Sequence, residues 1–136
     1  MSQSKRVFIT GGVRRLGLSI ARAFAERGHT LGLNYHTATD AEAEQAKLEC
    51  LALGAAAVHL IRGDVTREPD CLVEQFASAA GGLEILVNNA GIMPPRRSLA
   101  DLTTEQFAAT LQLNLMAPFA VAKAAAQHMT TGAIVN

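Results

Sequence analysis

The sequence predicts an α/β fold in which helices cover both faces of a doubly wound parallel sheet, giving three layers. Segments with strand-like and helix-like patterns alternate along the 136 residues, as in folds built from repeated strand–helix–strand units. The strand candidates include the runs at 7–9 and Ile85–Val87, which are apolar without alternation. Strands covered on both faces have this character, and sheets buried in this way are parallel.

These patterns predict five strands and four helices. The strands are expected at residues 6–10, 30–35, 57–61, 84–88 and 132–136, and the helices at 16–27, 40–53, 69–79 and 103–129. Gly28 and Gly54 follow the first two helices, as C-terminal caps do. Thr103 and Gln106 have the spacing of a capping box. Pro118 lies inside the last helical pattern, so that helix is expected to kink or restart there.

The composition excludes several classes of partner. The 12 Lys and Arg residues balance the 12 Asp and Glu residues, so no basic excess exists to attract nucleic acid or an anionic membrane surface. No apolar run approaches the roughly 20 residues that span a bilayer. Cys50 and Cys71 follow no recognisable spacing. A reduced, cytoplasmic protein is therefore expected, and no metal ligands are assigned.

A glycine-rich turn joins the first predicted strand to the first predicted helix. Gly11 lies at the strand end, where a tight turn and the close approach of a ligand to the backbone favour glycine. Gly17, just inside the helix, has no side chain to keep helix and strand apart. Such a turn aims N–H groups and the positive helix end at one point, which suits a dinucleotide pyrophosphate. By itself the pattern is weakly specific, because ordinary turns also contain it.

A second turn of small residues follows the fourth predicted strand. Asn88 and Asn89 close a buried strand, where an amide without a hydrogen-bond partner costs roughly 1–3 kcal/mol. Ala90 and Gly91 leave room for a bulky group beside the carboxyl end of that strand. Because open α/β sheets bind ligands at this edge, the two turns together predict one ligand site.

The order and spacing of these motifs resemble the short-chain dehydrogenase/reductase family over essentially the whole chain. The resemblance rests on Thr10-Gly11 and Gly17 after the first strand, Asp64 after the third, Asn-Asn-Ala-Gly at 88–91 after the fourth, and Asn114 in the last helix. It implies a Rossmann-type sheet, truncated after the fifth strand. Residues 1–136 would then form the N-terminal, cofactor-binding part of a single domain.

One residue departs from the family pattern. The family usually has glycine where this chain has Arg15. Arginine at this position, together with Tyr35-His36 at the end of the second strand, resembles the pteridine-reductase-like branch. That likeness implies a pterin, or another cyclic carbonyl or imine compound, as substrate.

The resemblance also implies roles for individual residues around a nicotinamide dinucleotide cofactor. The pyrophosphate and the adenosine side would be lined by Gly11, Arg14, Arg15, Leu16 and Gly17. The adenine would be framed by Asp64 and Val65. The ribose next to the nicotinamide would be flanked by Asn88, Ala90 and Gly91. Asn114 would hold the water relay that serves the family's catalytic lysine.

Some of these residues have simpler structural alternatives. Asp64 could cap a helix that starts near Arg67. Asn114 could tie a helix kink near Pro118. Arg14 and its neighbour could be solvated charges on an exposed turn.

The end of the second strand favours NADPH over NADH. NAD-specific sites place an acidic residue there, which binds the ribose hydroxyls and repels a 2′-phosphate. Residues 34–37 are instead Asn, Tyr, His and Thr, and the first acid, Asp40, fits the start of the next helix. Arg14 is expected to bind a 2′-phosphate, with His36 and Thr37 as further donors. The expected preference for NADPH is roughly tenfold or greater.

The catalytic residues that the resemblance implies are mostly missing. The family uses a tyrosine as proton donor, a lysine four residues later that lowers the tyrosine pKa from about 10, and a serine beyond the fifth strand. Tyr35 is the one tyrosine of the sequence, and residue 39 is threonine. Lys123 follows Phe119 by four residues, and Ser98 follows the fourth strand. Of the four catalytic positions only Asn114 is present.

Three functions therefore stay open. The chain is expected to be the N-terminal piece of a longer NADPH-dependent oxidoreductase that transfers a hydride to a small carbonyl or imine substrate. The alternatives are a non-catalytic nucleotide-binding or interaction protein, and a half-enzyme completed by another polypeptide. The mass of the assembly in solution would help to separate them.

The far end of the chain carries two expectations about packing. A homo-oligomer is expected through the 103–129 helix, where relatives usually dimerise, because the alanine-rich stretch at 120–126 allows close helix packing. Apolar side chains such as Val121, Ile134 and Val135 are expected to lie uncovered, since further strands and helices of the family would cover them.

Overall fold

The computed structural model describes residues 3–136 and has the predicted α/β architecture. In chain order the elements are β1 (Arg6–Ile9), α1 (Arg15–Ala25), β2 (Thr30–Tyr35), α2 (Asp40–Ala52), β3 (Ala57–Arg62), α3 (Pro69–Ala80), β4 (Ile85–Val87), α4 (Thr104–Leu111), a π-helical segment (Gln112–Met116), α5 (Ala117–Ala126) and β5 (Ala133–Val135). The strands form one sheet in the order β3-β2-β1-β4-β5, and every neighbouring pair is parallel. The predicted fold class is confirmed.

The central strand β1 separates two apolar layers. Val7 and Ile9 face the layer that α1 and α2 cover, whereas Phe8 faces the layer that α3 and α5 cover. The Phe8 ring stacks on Phe76 of α3 with centroids 5.4 Å apart. Gly32 of β2 lies beneath the Phe76 ring, and a Cβ there would come within 2.5 Å of it. Both sheet faces are therefore buried, which explains the uninterrupted apolar runs.

The 103–129 pattern forms three helical pieces rather than one. The capping box predicted at Thr103 and Gln106 is confirmed, with both of its hydrogen bonds present. Pro118 falls in the first turn of α5, behind the π-helical segment. The N–H of Ala117 bonds to the carbonyl of Gln112, and Pro118 has no N–H to continue the ladder. The backbone thus stays helical through the proline by widening one turn, and α5 ends at residue 126 rather than 129.

The expected uncovered surface is correct in part. Ile134 and Val135 are exposed, but Val121 is buried. Within the alanine-rich stretch, Ala124 and Ala125 are also buried, against the layer that includes α3. Part of the alanine-rich stretch therefore packs within the subunit.

The exposed apolar side chains of this region lie elsewhere. They recur every four residues along α4, the π-helical segment and α5, at Phe107, Leu111, Leu115 and Phe119. Among residues 3–136, no helix combines the length and the apolar character that crossing a bilayer requires.

Candidate functional site

The turn between β1 and α1 is held open at the carboxyl edge of the sheet. Gly11 has a φ of +61°, as expected for a tight turn at that position. Asn34 of β2 fixes the turn, because its side-chain oxygen accepts from the Gly11 N–H (3.3 Å) and its carbonyl accepts from the Gly12 N–H (2.9 Å). Arg15 also has a positive φ, +48°. The arginine therefore occupies the left-handed conformation that glycine tolerates best.

Gly17 is where helix α1 comes closest to the turn. A Cβ at this position would overlap the carbonyl oxygen of Gly11 and lie 2.6 Å from Nδ2 of Asn89. The close approach predicted for this glycine is present. Any side chain would push α1 away from the carboxyl edge.

The N-terminus of α1 is left without a cap. Its N-cap residue, Arg14, makes no side-chain cap hydrogen bond, and the first turn contains no acidic residue. The first bond of the helical ladder runs from the Leu18 N–H to the Arg14 carbonyl (3.1 Å), so the N–H groups of residues 15–17 lie ahead of the ladder. A helix start of this kind attracts an anion.

Thr10 and Asn89 lock the two turns together, and neither was assigned a site role from the sequence. The Thr10 hydroxyl oxygen accepts from the N–H groups of Asn89 and Ala90, both at 2.9 Å. In return, Nδ2 of Asn89 donates to the carbonyls of Thr10 (3.0 Å) and Gly11 (3.1 Å). A polar residue at the end of each neighbouring strand was the available signal for this bracing.

A cavity of about 390 Å³ opens between the turns at the carboxyl edge. It brings together seven of the residues proposed from the sequence, which come from the turns after four strands: Gly11, His36, Thr37, Asp64, Val65, Ala90 and Gly91. Arg14, Arg15, Leu16, Gly17, Asn88 and Asn114 do not line it. Arg14 and Arg15 instead border a groove between α1 and α2.

Asp64 both lines the cavity and closes a local turn. Its Oδ1 accepts from the N–H (2.9 Å) and the hydroxyl (2.7 Å) of Thr66. Partial burial opposes ionisation, but the bonds from Thr66, with the charges of His36 and Arg67, outweigh it and lower the pKa of Asp64. The helix that follows, α3, begins only at Pro69 with Glu68 as its N-cap residue. The carboxylate therefore caps the turn before the helix rather than the helix itself.

Arg14 is engaged in an ion pair with α2. Its Nε donates to Oε1 of Glu42 (3.0 Å) and its terminal nitrogen donates to Oε2 (2.6 Å). The bonds from Arg14, and those from Thr39, hold the pKa of Glu42 at about 2. Arg14 is thus neither a free solvated charge nor placed inside the cavity.

The two predicted asparagines have partners within the fold. The Asn88 side chain donates to the Pro118 carbonyl (3.2 Å) and to Oδ1 of Asn136 (2.9 Å). The Asn114 side chain accepts from the Ile92 N–H (2.8 Å) and donates to the Ile92 carbonyl (2.7 Å). Asn114 therefore ties the π-helical segment to the loop after β4, and not to the backbone at Pro118.

The one tyrosine is unsuited to proton transfer at this site. Tyr35 is buried, and its hydroxyl donates to Oδ1 of Asp40 at 2.8 Å. Burial, followed by the hydrogen bond to Asp40, raises the pKa of Tyr35. Its role is to anchor the start of α2.

The chain is similar in sequence to proteins of one known family. Residues 5–136 match the family model described as short chain dehydrogenase, and the chain belongs to that family. It is 35% identical over 137 residues to general stress protein 39 of Bacillus subtilis, covering 98% of this chain and 47% of the relative.

Solved structures show the same likeness. A short-chain dehydrogenase from Burkholderia cenocepacia J2315, in complex with NADP, is 37% identical with a TM-score of 0.85, over 93% of this chain and 51% of that one. The NADH-dependent reductase A1-R′, complexed with NAD, is 26% identical with a TM-score of 0.88, over 97% of this chain and 58% of that one. The chain thus spans about half the length of the proteins it matches.

Proposed function

We propose that this chain binds NADP(H) and forms the cofactor-binding part of an oxidoreductase that transfers a hydride to a carbonyl or imine. The observation that carries this proposal is the meeting of four loops with the uncapped start of α1 at one sheet edge. Ligands of open α/β sheets bind at that edge. When bound, the cofactor supplies the hydride, and the residues of this chain hold and orient it.

The residues present fit such a cofactor. The N–H groups of residues 15–17 and the bare backbone at Gly11 suit the pyrophosphate. Gly17 lets the helix start this close to the turn, because a Cβ there would overlap the Gly11 carbonyl. The ionised Asp64 beside Val65 suits the adenine, whose exocyclic amine is a donor. Ala90 and Gly91 leave the space for the ribose next to the nicotinamide.

A preference for NADPH is supported by the residues around the end of β2. His36 and Thr37 line the cavity, and Arg14 adds a guanidinium at the start of α1. The first acid after β2, Asp40, is paired with Tyr35 and Arg62. Of the two structural relatives described above, one is in complex with NADP and the other is an NADH-dependent reductase, so the preference of this chain has to be measured directly.

The test is to compare dissociation constants for NADPH and NADH in the wild-type protein and an Arg14→Ala variant, using nicotinamide fluorescence. The wild type should bind NADPH tighter by about tenfold or more, and Arg14→Ala should lose most of that factor. Arg22→Ala is the matched control, because Arg22 is also paired with a glutamate of α2, Glu49. An Arg14→Ala protein that keeps the full preference would contradict the assignment.

We further propose that hydride transfer needs residues outside this sequence. Asn114 stands at the family's asparagine position, in the π-helical segment, and would hold the water relay that serves the lysine. The serine, tyrosine and lysine would come from a longer polypeptide.

The intact mass of the protein as made from its natural gene tests this directly. A mass near twice the 14.3 kDa of this sequence would support the proposal. A mass near 14.3 kDa would favour a non-catalytic nucleotide binder or a half-enzyme completed by another chain.

The finer assignments extend the same proposal. The left-handed Arg15, at the family's glycine position, supports the pteridine-reductase-like branch and a pterin-like cyclic substrate. NADPH oxidation by a dihydropterin, against an open-chain ketone, tests this in the longer polypeptide that carries the catalytic residues. The exposed apolar side chains from Phe107 to Phe119 support a homo-oligomer, which the mass in solution tests.

We place the protein in the cytoplasm, where the free thiols of Cys50 and Cys71 persist.

A further inference from the structure

Glu42 lies in the first turn of α2 and faces Arg14, and the family resemblance assigns it no role. We propose that Glu42 is a specificity-determining residue, whose carboxylate offsets the charge of Arg14 and so limits the preference for NADPH. The inference rests on the proposed function. It concerns only the ratio of the affinities for NADPH, whose ribose carries a 2′-phosphate, and for NADH, whose ribose does not.

The contacts of Glu42 connect the start of α1 to the start of α2. Oε1 accepts from Nε of Arg14 (3.0 Å), and Oε2 accepts from the terminal nitrogen of Arg14 (2.6 Å). Oε2 also accepts from the N–H (2.8 Å) and the hydroxyl (2.9 Å) of Thr39, the N-cap residue of α2. Thr39 comes two residues after Thr37, which lines the cavity. The ion pair therefore joins the N-cap residue of α1 to the capping box of α2, and both of its residues border the groove between these helices.

The geometry of the pair leaves Arg14 able to bind a phosphate without releasing Glu42. A guanidinium has five N–H donors, and Glu42 takes two of them. Three donors remain for a phosphate oxygen. A 2′-phosphate would then gain hydrogen bonds from Arg14 while its negative charge is repelled by the neighbouring carboxylate.

A ribose 2′-hydroxyl carries no charge, so this repulsion does not act on NADH. Glu42 is ionised throughout the neutral range, since its pKa lies at about 2. Its effect on NADPH is therefore constant near neutral pH and depends on salt, as expected for exposed charges.

The structural role of Glu42 does not require its charge. Glu42 closes the capping box of α2 with Thr39. In α4 the same box is closed by Thr103 and the neutral Gln106, with both hydrogen bonds present. A Glu42→Gln protein therefore keeps a cap of a kind that this chain already uses, while the charge beside Arg14 is removed.

The experiment measures NADPH and NADH dissociation constants for Glu42→Gln at about 0.05 M and about 0.5 M salt. We expect the ratio of the two affinities to shift toward NADPH by roughly three- to tenfold at low salt, less at high salt, with NADH affinity unchanged within about twofold. Glu49→Gln is the matched control: it removes the other α1–α2 ion pair, to Arg22, and should leave the ratio unchanged. Glu42→Asp keeps the charge and should keep the wild-type ratio.

Each outcome bears on a different statement. The role of Glu42 is overturned if Glu42→Gln leaves the ratio of NADPH to NADH affinity unchanged or lowers it. If Arg14→Ala still loses the NADPH preference, the proposed function stays intact. A wild-type protein that binds neither dinucleotide overturns both. A melting temperature of Glu42→Gln equal to that of Glu49→Gln shows that the cap is kept. If Glu42→Gln does not fold, Glu42→Asp, which keeps the charge, decides the question. A shifted ratio of NADPH to NADH affinity in Glu42→Asp overturns the proposal, because the charge at residue 42 would then not set the preference.

Discussion

The two edges of the sheet differ in how their polar groups are used. At the amino edge lies the larger cavity, about 830 Å³, and three of the side chains that line it, those of Ser4, Arg6 and Glu84, are already paired. Arg6 donates to both carboxylate oxygens of Glu84 and to the carbonyl of Gly81. The Ser4 hydroxyl donates to the Gly28 carbonyl at 2.9 Å.

The carboxyl edge has the opposite character. Its cavity is about 390 Å³, but the N–H groups at the start of α1 lie ahead of the helical ladder and the first turn carries no acid. The proposed binding edge therefore differs from the amino edge in its uncapped helix start and not in the volume of its cavity. The predictions below test that contrast at the two ends of α1, because one end lies at each edge.

The largest effect is expected from Gly17→Ala at the carboxyl edge. The added methyl group would overlap the Gly11 carbonyl, so α1 has to move, at a cost of about 3 kcal/mol of unfolding free energy. NADPH affinity should fall by more than about 100-fold. Urea denaturation and an NADPH titration measure the two effects.

Gly28→Ala, at the other end of α1, is the control for that change. Its φ is +73°, and the nearest heavy atom to an added Cβ is 3.8 Å away. We expect only the strain of a left-handed alanine, about 1–2 kcal/mol, with NADPH affinity unchanged. Wild-type affinity in Gly17→Ala would show that the close approach is not needed for binding.

Leu16→Glu is expected to have a smaller effect, which raises stability but lowers the affinity for NADPH. Leu16 is 67% exposed in the first turn of α1. A carboxylate there should stabilise the helix by about 0.3–1 kcal/mol and weaken NADPH binding about tenfold by repelling the pyrophosphate. Leu16→Gln, which lacks the charge, should do neither. Equal NADPH affinity in the Glu and Gln variants would place the pyrophosphate elsewhere.

The smallest effect concerns His29 at the amino edge. His29 is buried, and its Nδ1 accepts from the Lys5 N–H at 3.0 Å. Burial, with the nearby charges of Lys5 and Arg27, lowers the pKa of His29. Below about pH 6.5, the ordinary histidine value, the unfolded chain therefore binds a proton more readily than the folded one. As the pH is lowered from this value, the free energy of unfolding should therefore fall, and it should level off once the pH is below the pKa of His29 in the folded protein.

Urea denaturation at about pH 7.5 and about pH 5.5 measures this dependence. His29→Asn keeps a side-chain acceptor for the Lys5 N–H but cannot titrate, so it should lose part of the wild-type pH dependence. NADPH affinity of this variant should match that of the wild type, because His29 lies at the edge away from the cofactor. An identical pH dependence in both proteins would contradict the role assigned to the buried imidazole.

Local sequence patterns predicted most of the elements and the turn glycines. The strand predictions are correct to within one residue at each end, because apolar runs report burial on both faces. Thr103 and Gln106 predicted their capping box, since its partners are three residues apart. Gly11 and Gly17 predicted the tight turn and the close helix, because backbone conformation restricts which residues fit.

Contacts between distant parts of the chain were not predictable in the same way. The π-helical segment depends on Pro118 and on Asn114, whose side chain bonds to Ile92, 22 residues away. Arg14 was expected at a 2′-phosphate, and its partner Glu42, 28 residues away, was not foreseen. The alanine-rich stretch was expected to allow close packing against a second copy, and part of it packs within the subunit against the layer that includes α3.

The sequence by itself determined the alternation of strands and helices, the parallel sheet and the positions where only glycine fits, because these depend on burial and backbone conformation near each residue. Tertiary structure decided which side chains meet: that Glu42 holds Arg14, that Asn88 turns toward α5, and that seven predicted residues share one cavity. These contacts depend on how α1, α2 and α5 pack against the sheet. The packing of the whole chain sets them, and no local pattern encodes them.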